Sequence, residues 1–204
     1  EGEYRRADGT SVAPPMRPDA QLAAKQWEMV ADGEELQPVP TTEDKPLRPT
    51  SVYALSKRDQ EEYSLLVGQA YGIPTVALRY FNIYGPRQAL SNPYTGVGAI
   101  FGACLLNGDA PTIYEDGLQT RDFVHVSDIV QANMLALESE PAAIAGQVFN
   151  VGTGRPTNLI ELLELLAQFN VFCVGCGLNG IGDLNPTVPG VQQPNFAGNR
   201  PPFS

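Results

Sequence analysis

Tyr53 and Lys57 stand four residues apart in the run Tyr53-Ala54-Leu55-Ser56-Lys57. On a helix that spacing places a phenol and an ammonium on one face. A tyrosine with an ordinary pKa of about 10 is a poor base at neutral pH. An adjacent cation favours the phenolate, which turns the pair into a proton-transfer catalyst suited to hydride transfer at a carbinol. The spacing also arises by chance on solvated helices, so its meaning depends on what surrounds it.

The surrounding sequence predicts elements that can position the pair. Pro49-Thr50-Ser51 offers an N-cap, and Val52, Leu55, Tyr63, Leu66, Val67 and Ala70 recur at helical spacing until Gly72 and Pro74 stop the helix. Thr75 to Phe81 is short, β-branched and aromatic, and reads as a buried strand. The alternation continues with a helix over Ala99–Leu106, extended segments at Thr112–Tyr114 and Phe123–Val126, and a helix over Ser127–Glu138. An extended segment at Gln147–Val151 and a helix over Asn158–Ala167 complete it. Asn158 and Glu161 have the spacing of a capping box. Alternating helices and strands predict an α/β domain.

On either side of this core the texture differs. Residues 1–49 are rich in Pro, Gly and charge, and read as a long loop or insertion with a short helix around Gln21–Val30. The core domain is taken as residues 50–168. Residues 169–204 form an irregular tail without amphipathic period, whose origin the sequence leaves open.

Composition narrows the function classes. The chain has 204 residues, 43% hydrophobic and 18% charged, an ordinary globular balance that fits one domain. Its formal net charge of -10 argues against nonspecific nucleic-acid binding, which needs clustered Lys and Arg. No apolar run approaches the roughly 20 residues that span a bilayer, and no membrane association is expected. Three cysteines, Cys104, Cys173 and Cys176, make no disulfide framework, and a cytoplasmic setting is expected. Cys173 and Cys176 have metal-ligand spacing without a second pair, so no metal is expected. His125 is the sole histidine and reads as packed rather than catalytic.

Four blocks carry a more specific signal: Tyr53–Lys57, Leu78-Arg79-Tyr80-Phe81-Asn82-Ile83-Tyr84-Gly85-Pro86-Arg87, Arg121-Asp122-Phe123-Val124-His125-Val126-Ser127-Asp128, and Phe149-Asn150-Val151-Gly152-Thr153-Gly154. In this order and at these separations they resemble the extended short-chain dehydrogenase/reductase family, specifically its NAD-dependent nucleotide-sugar epimerases and dehydratases. The resemblance runs from about Leu47 to Ala167. It implies the carboxyl-terminal part of a Rossmann-like NAD(P)-binding fold with a small substrate-binding lobe.

By the same resemblance Tyr53 is the catalytic acid/base, and Lys57 bonds the nicotinamide ribose and lowers the tyrosine's pKa. Tyr80 and Phe81 contact the nicotinamide, largely through backbone, and Asn82 contacts substrate. Arg121 grips the nucleotide diphosphate, with a salt bridge to a neighbouring carboxylate as the structural alternative. Arg87 is a phosphate contact or a loop stabiliser, and Asn92 borders the nucleotide. The implied reaction oxidises the sugar at C4 and returns the hydride after the keto sugar reorients. A nucleotide-diphosphate sugar is the implied partner, and homodimerisation through a bundle that includes the Tyr53 helix is implied, with Tyr63, Leu66 and Ala70 explained equally well by that interface or by core packing. The alternatives are a dehydratase or decarboxylase of the same family, or a noncatalytic remnant or interaction protein.

One family feature does not occur in this sequence. The family opens with a strand and a Gly-x-x-Gly-x-x-Gly turn that meets the pyrophosphate at a helix amino terminus, and no such turn is found here. Ser51 is too close to Tyr53 to serve as the family's sugar-binding Ser or Thr, which leaves a dyad. The expectation is a fragment that lacks the Gly-rich half, has an uncovered sheet edge, is inactive alone, and binds NAD weakly or not at all.

Overall fold

The computed structural model describes residues 2–89 and 96–174, with side chains described through 168. The described residues divide into two compact units: one holds residues 2–80 with Gln131–Val151, the other residues 81–89, 96–130 and 152–174.

In the first unit, β1 (Glu3–Arg5) lies between β2 (Ser11–Val12) and β5 (Gln37–Val39), both antiparallel to it. A five-residue helix α1 (Asp19–Ala23) follows β2, and β3 (Val30–Ala31) pairs with β4 (Glu34–Glu35). Asp32 and Gly33 turn this hairpin with φ of 52° and 81°, the positive values that a two-residue I′ loop requires. Arg6 reaches from beyond β1 to Asp32 and, at 3.2 Å, to Glu34. The expectation of a long loop with a helix at Gln21–Val30 is therefore corrected. Strands of two or three residues show no period of their own, and backbone pairing with distant partners makes them.

Helix α2 (Val52–Tyr71) forms as the sequence predicts. Ser51 is extended and its hydroxyl accepts from the Ala54 N–H at 3.1 Å, while Gly72 ends the helix in the left-handed region at φ 66°. The returning chain makes β6 (Ala77–Tyr80), which pairs in parallel with β9 (Val148–Val151), Ala77 opposite Val148 and Arg79 opposite Asn150. The expected buried strand is only half-buried, and Tyr80 is 42% exposed. Among the described residues β6 has β9 as its sole strand neighbour, so one edge lacks a ladder.

The second unit centres on β8 (Thr120–His125), flanked by β7 (Asn82–Tyr84) in parallel and β10 (Pro156–Asn158) antiparallel. Beside these strands, α3 (Val97–Asn107) packs on α6 (Leu159–Val174) around Phe101, Ile113, Leu159 and Leu163, the buried apolar cluster of this unit. Asn158 and Glu161 make the expected capping box, each side chain accepting from the other's backbone N–H at 2.8 and 3.1 Å. Thr112–Tyr114 forms no strand: Ile113 is buried in the α3–α6 cluster, and its segment has no ladder partner. The helix α4 (Val126–Glu138) begins in this unit and ends in the first, followed by α5 (Pro141–Ile144). Among the described residues no helix is long and apolar enough to cross a membrane. The chain is an α/β protein.

The tail beyond Val174, including Cys176, lies outside the described residues. So does the side chain of Cys173.

Candidate functional site

The sequence-predicted residues fall into two groups, one in each unit. In the first unit, Tyr53 occupies the opening turn of α2 with 56% of its surface exposed. Lys57 follows one turn later, its Nζ 5.6 Å from the centre of the Tyr53 ring and 3.2 Å from Gln60 Oε1. Within that distance the ammonium is attracted electrostatically to the ring. The sequence expectation that the two side chains lie side by side is met.

Tyr80, at the carboxyl end of β6, belongs to the same unit. Its hydroxyl donates to Asn133 Oδ1 at 2.9 Å, which ties the strand end to α4. Arg79 makes side-chain hydrogen bonds through all three of its guanidinium nitrogens. Its Nε and Nη2 donate to the two Glu61 carboxylate oxygens at 2.8 and 2.7 Å, and Nη1 donates to the Glu43 carbonyl at 2.9 Å. The side-chain hydrogen bond to Glu61 raises the Arg79 pKa above the usual arginine value, against the opposing effect of desolvation. Sequence reasoning assigned Glu61, Arg79 and Glu43 no role, although Glu61 continues the Tyr53–Lys57 spacing by one further turn.

Glu43 and Asn150 complete this network. The Asn150 N–H donates to Glu43 Oε1 at 2.9 Å, and its side-chain amide donates to the Thr41 carbonyl at 3.0 Å. The backbone hydrogen bond from Asn150 holds the Glu43 carboxyl below the ordinary carboxylate range. Segment 41–43 is thereby anchored to both strands of the parallel pair.

The second unit holds the remaining residues. Phe81 packs on the turn after β9, where a Cβ added at Gly152 would lie 3.1 Å from its ring. Asn82 opens β7 opposite Phe123. Arg121 lies in β8 with an exposed side chain, and its Nη1 donates to the Thr120 carbonyl at 2.8 Å. The salt bridge weighed as its structural alternative does not form among the described residues. Arg87 is exposed at φ 68°, a left-handed conformation uncommon outside glycine. With Ile83, Tyr84, Pro86, Gln88 and Val126 it borders an open pocket of about 260 Å³. Asn92 lies outside the described residues.

Asp122 and His125 have structural partners. The Asp122 carboxylate accepts from Thr153 N–H at 2.9 Å, from the Thr153 hydroxyl at 2.7 Å and from Gly154 N–H at 2.7 Å. It caps the Gly152-Thr153-Gly154 turn. Hydrogen bonds to a charged acceptor contribute more than neutral ones, so Asp122→Ala should lower the unfolding free energy by about 1.5–3 kcal/mol, read from urea denaturation. His125 packs edge-on to Tyr84 at 5.4 Å, and its Nδ1 lies 2.7 Å from Ser127 Oγ.

With this geometry in place, comparison with known proteins defines the class. The family model of the NAD dependent epimerase/dehydratase family matches residues 27–152, and the chain belongs to that family. It is similar to the dTDP-L-rhamnose 4-epimerase of Burkholderia thailandensis, 38% identical over 167 residues that cover 82% of this chain and 45% of that protein. Among solved structures it resembles the UDP-N-acetylglucosamine 4-epimerase of Methanobrevibacter ruminantium, determined in complex with UDP-N-acetylmuramic acid. That likeness has 39% identity and a TM-score of 0.59, over 64% of this chain and 41% of that one. The UDP-glucose 4-epimerase of Thermus thermophilus, determined in complex with NAD, is 38% identical with a TM-score of 0.58, over 71% of this chain and 44% of that one. The chain thus spans less than half the length of each of these relatives. The resemblance read from the four sequence blocks and the Rossmann-like fold it implied are both borne out.

Proposed function

We propose that this chain supplies the acid/base pair and part of the sugar-nucleotide side of an NAD-dependent nucleotide-sugar 4-epimerase. The observation that carries this reading is the Tyr53–Lys57 pair, a phenol and an ammonium one helical turn apart on an exposed face of α2. Their chemistry fits the nicotinamide-ribose end of NAD. No Gly-x-x-Gly-x-x-Gly turn in this sequence fits the pyrophosphate. NAD, when bound, accepts a hydride from a carbinol carbon and gives it back.

Tyr53 takes the C4 hydroxyl proton as the carbon is oxidised and returns it on reduction. Lys57 steadies the phenolate and bonds the ribose. Tyr80 and Phe81 border the nicotinamide through their backbone at the end of β6, the position at which open parallel sheets place ligands. In the substrate half Asn82 contacts the sugar. Arg121 grips the diphosphate with a planar fork suited to phosphate oxygens. Arg87 and Asn92 border the same nucleotide. An accessible Arg121 supports this reading, since it is exposed and its bond to the Thr120 carbonyl uses only Nη1, which leaves most of its donors for a ligand.

A cytoplasmic setting and a homodimer belong to the same proposal. Tyr63 and Leu66 on α2 are 71% and 63% exposed, which suits association with a second copy.

Isotope retention tests the reaction. Given a UDP- or dTDP-hexose labelled with deuterium at C4, the intact protein should form the 4-epimer with the label kept at C4. Loss of label to solvent would overturn hydride return, and loss of water from the sugar would assign the dehydratase reaction instead.

A further inference from the structure

Glu61 and Arg79 take no part in the proton transfer just described, and their role as argued here rests on that reading. Tyr53, Lys57 and Glu61 recur at four-residue intervals on α2, so they share one stripe of the helix. At the far end of the stripe, Glu61 meets Arg79 of β6 through two parallel hydrogen bonds of 2.8 and 2.7 Å. A bidentate fork fixes angle as well as distance, which a single contact does not. The two side chains are only 23% and 16% exposed, so their geometry is shielded from competition by water.

The third donor of Arg79 extends the restraint. Nη1 holds the Glu43 carbonyl at 2.9 Å, and the Glu43 carboxylate holds the backbone of Asn150, the β9 residue opposite Arg79. One guanidinium therefore fastens α2, β6 and the segment entering α2 at a common point. Tyr80 is the next residue along β6. The chain reverses between α2 and β6, so the helix start, with Tyr53 and Lys57, points toward the strand's carboxyl end.

We propose that Arg79 and Glu61 are positioning residues, which set the height and rotation of α2 on β6 and so aim Tyr53 and Lys57 at the cofactor and the sugar. Misplacement by about 1 Å can reduce a rate by roughly 100-fold, so a loosened helix is expected to show in turnover.

The test uses the intact protein with Arg79→Met, Glu61→Gln and Arg79→Lys. Thermal stability, kcat, KM for the nucleotide sugar and NADH affinity by fluorescence titration are read for each. Arg79→Met and Glu61→Gln should lower kcat at least about tenfold and weaken NADH at least about threefold, with KM little changed. Arg79→Lys keeps the charge and loses the fork; it should recover stability and leave kcat depressed. Should Arg79→Met not fold, Glu61→Gln decides the matter. Reduced stability with unchanged kcat and NADH affinity in Glu61→Gln would overturn the proposal and leave an ion pair that only holds the fold. Tyr53→Phe, run alongside, separates the two ideas: full activity in that variant refutes the base assignment, while NADH affinity in Glu61→Gln still scores the placement of Lys57.

Discussion

Tyr53→Phe in the intact protein should lower kcat by about 10²–10⁴, the usual contribution of a general acid/base. KM for the nucleotide sugar should stay within a few-fold, because the hydroxyl is asked to move a proton and the ring is retained. Tyr53 is 56% exposed, so the loss should come without a fall in melting temperature. Formation of the 4-epimer, followed by proton NMR at saturating sugar and NAD, gives the measurement. Turnover within twofold of the parent would eliminate Tyr53 as the base and with it the central assignment of the site.

Gly68→Ala should destabilise the first unit by about 3 kcal/mol, the upper end of what overpacking usually costs. A Cβ at this buried helical position would lie 2.2 Å from Thr75 Oγ1, 2.7 Å from Thr75 Cβ and 2.9 Å from the Ile73 carbonyl oxygen. A hydroxyl can rotate away, but the carbonyl belongs to the backbone that turns α2 into β6. In an open helix the same change would stabilise by about 0.5–1 kcal/mol, so the expected sign is the reverse of propensity. Denaturant midpoints for Gly68→Ala and for Gly68→Ala with Thr75→Ala check the cause. The second change should restore only part of the loss, and a stabilised single variant would show that the contact does not exist.

The legible parts of the fold are those whose signals are local. Ser51 and Gly72 punctuate α2, and Asn158 with Glu161 announces α6, because caps and helical spacing act within a few residues. The parallel strand β6 was readable from its β-branched and aromatic run. The strands of residues 1–49 were not, because their pairing lies in partners up to 36 positions away, as between Glu3 and Val39. One local signal does exist there: Asp32-Gly33 is a two-residue hairpin turn between β3 and β4. Thr112–Tyr114 misled in the other direction, since Ile113 is buried by helices and not by a sheet. At the site, the closeness of Tyr53 and Lys57 follows from spacing alone, whereas their assignment as a catalytic pair depends on the surrounding blocks. Phe81, Asn82 and Arg121 carry no spacing signal of their own, and their assignment depends on kinship with known enzymes. Glu61 and Arg79 were hidden because an ion pair between a helix and a following strand leaves no pattern in either.

The interleaving of the two units bears on how the molecule is made. Asn150 and Thr41 are bonded across 109 residues of chain, and β6 cannot meet β9 until the whole of Phe81–Val130 has passed. Contacts of that span fold slowly, since loop-closure entropy is lost before any contact compensates it. At a synthesis rate of about 5–20 residues per second, α2 and β6 emerge from the ribosome several seconds ahead of β9. During that interval Leu78 and the apolar flank of α2 have no strand partner to cover them. Apolar surface and a strand edge left uncovered for that interval favour aggregation over folding, an exposure that a simple hairpin-built domain avoids.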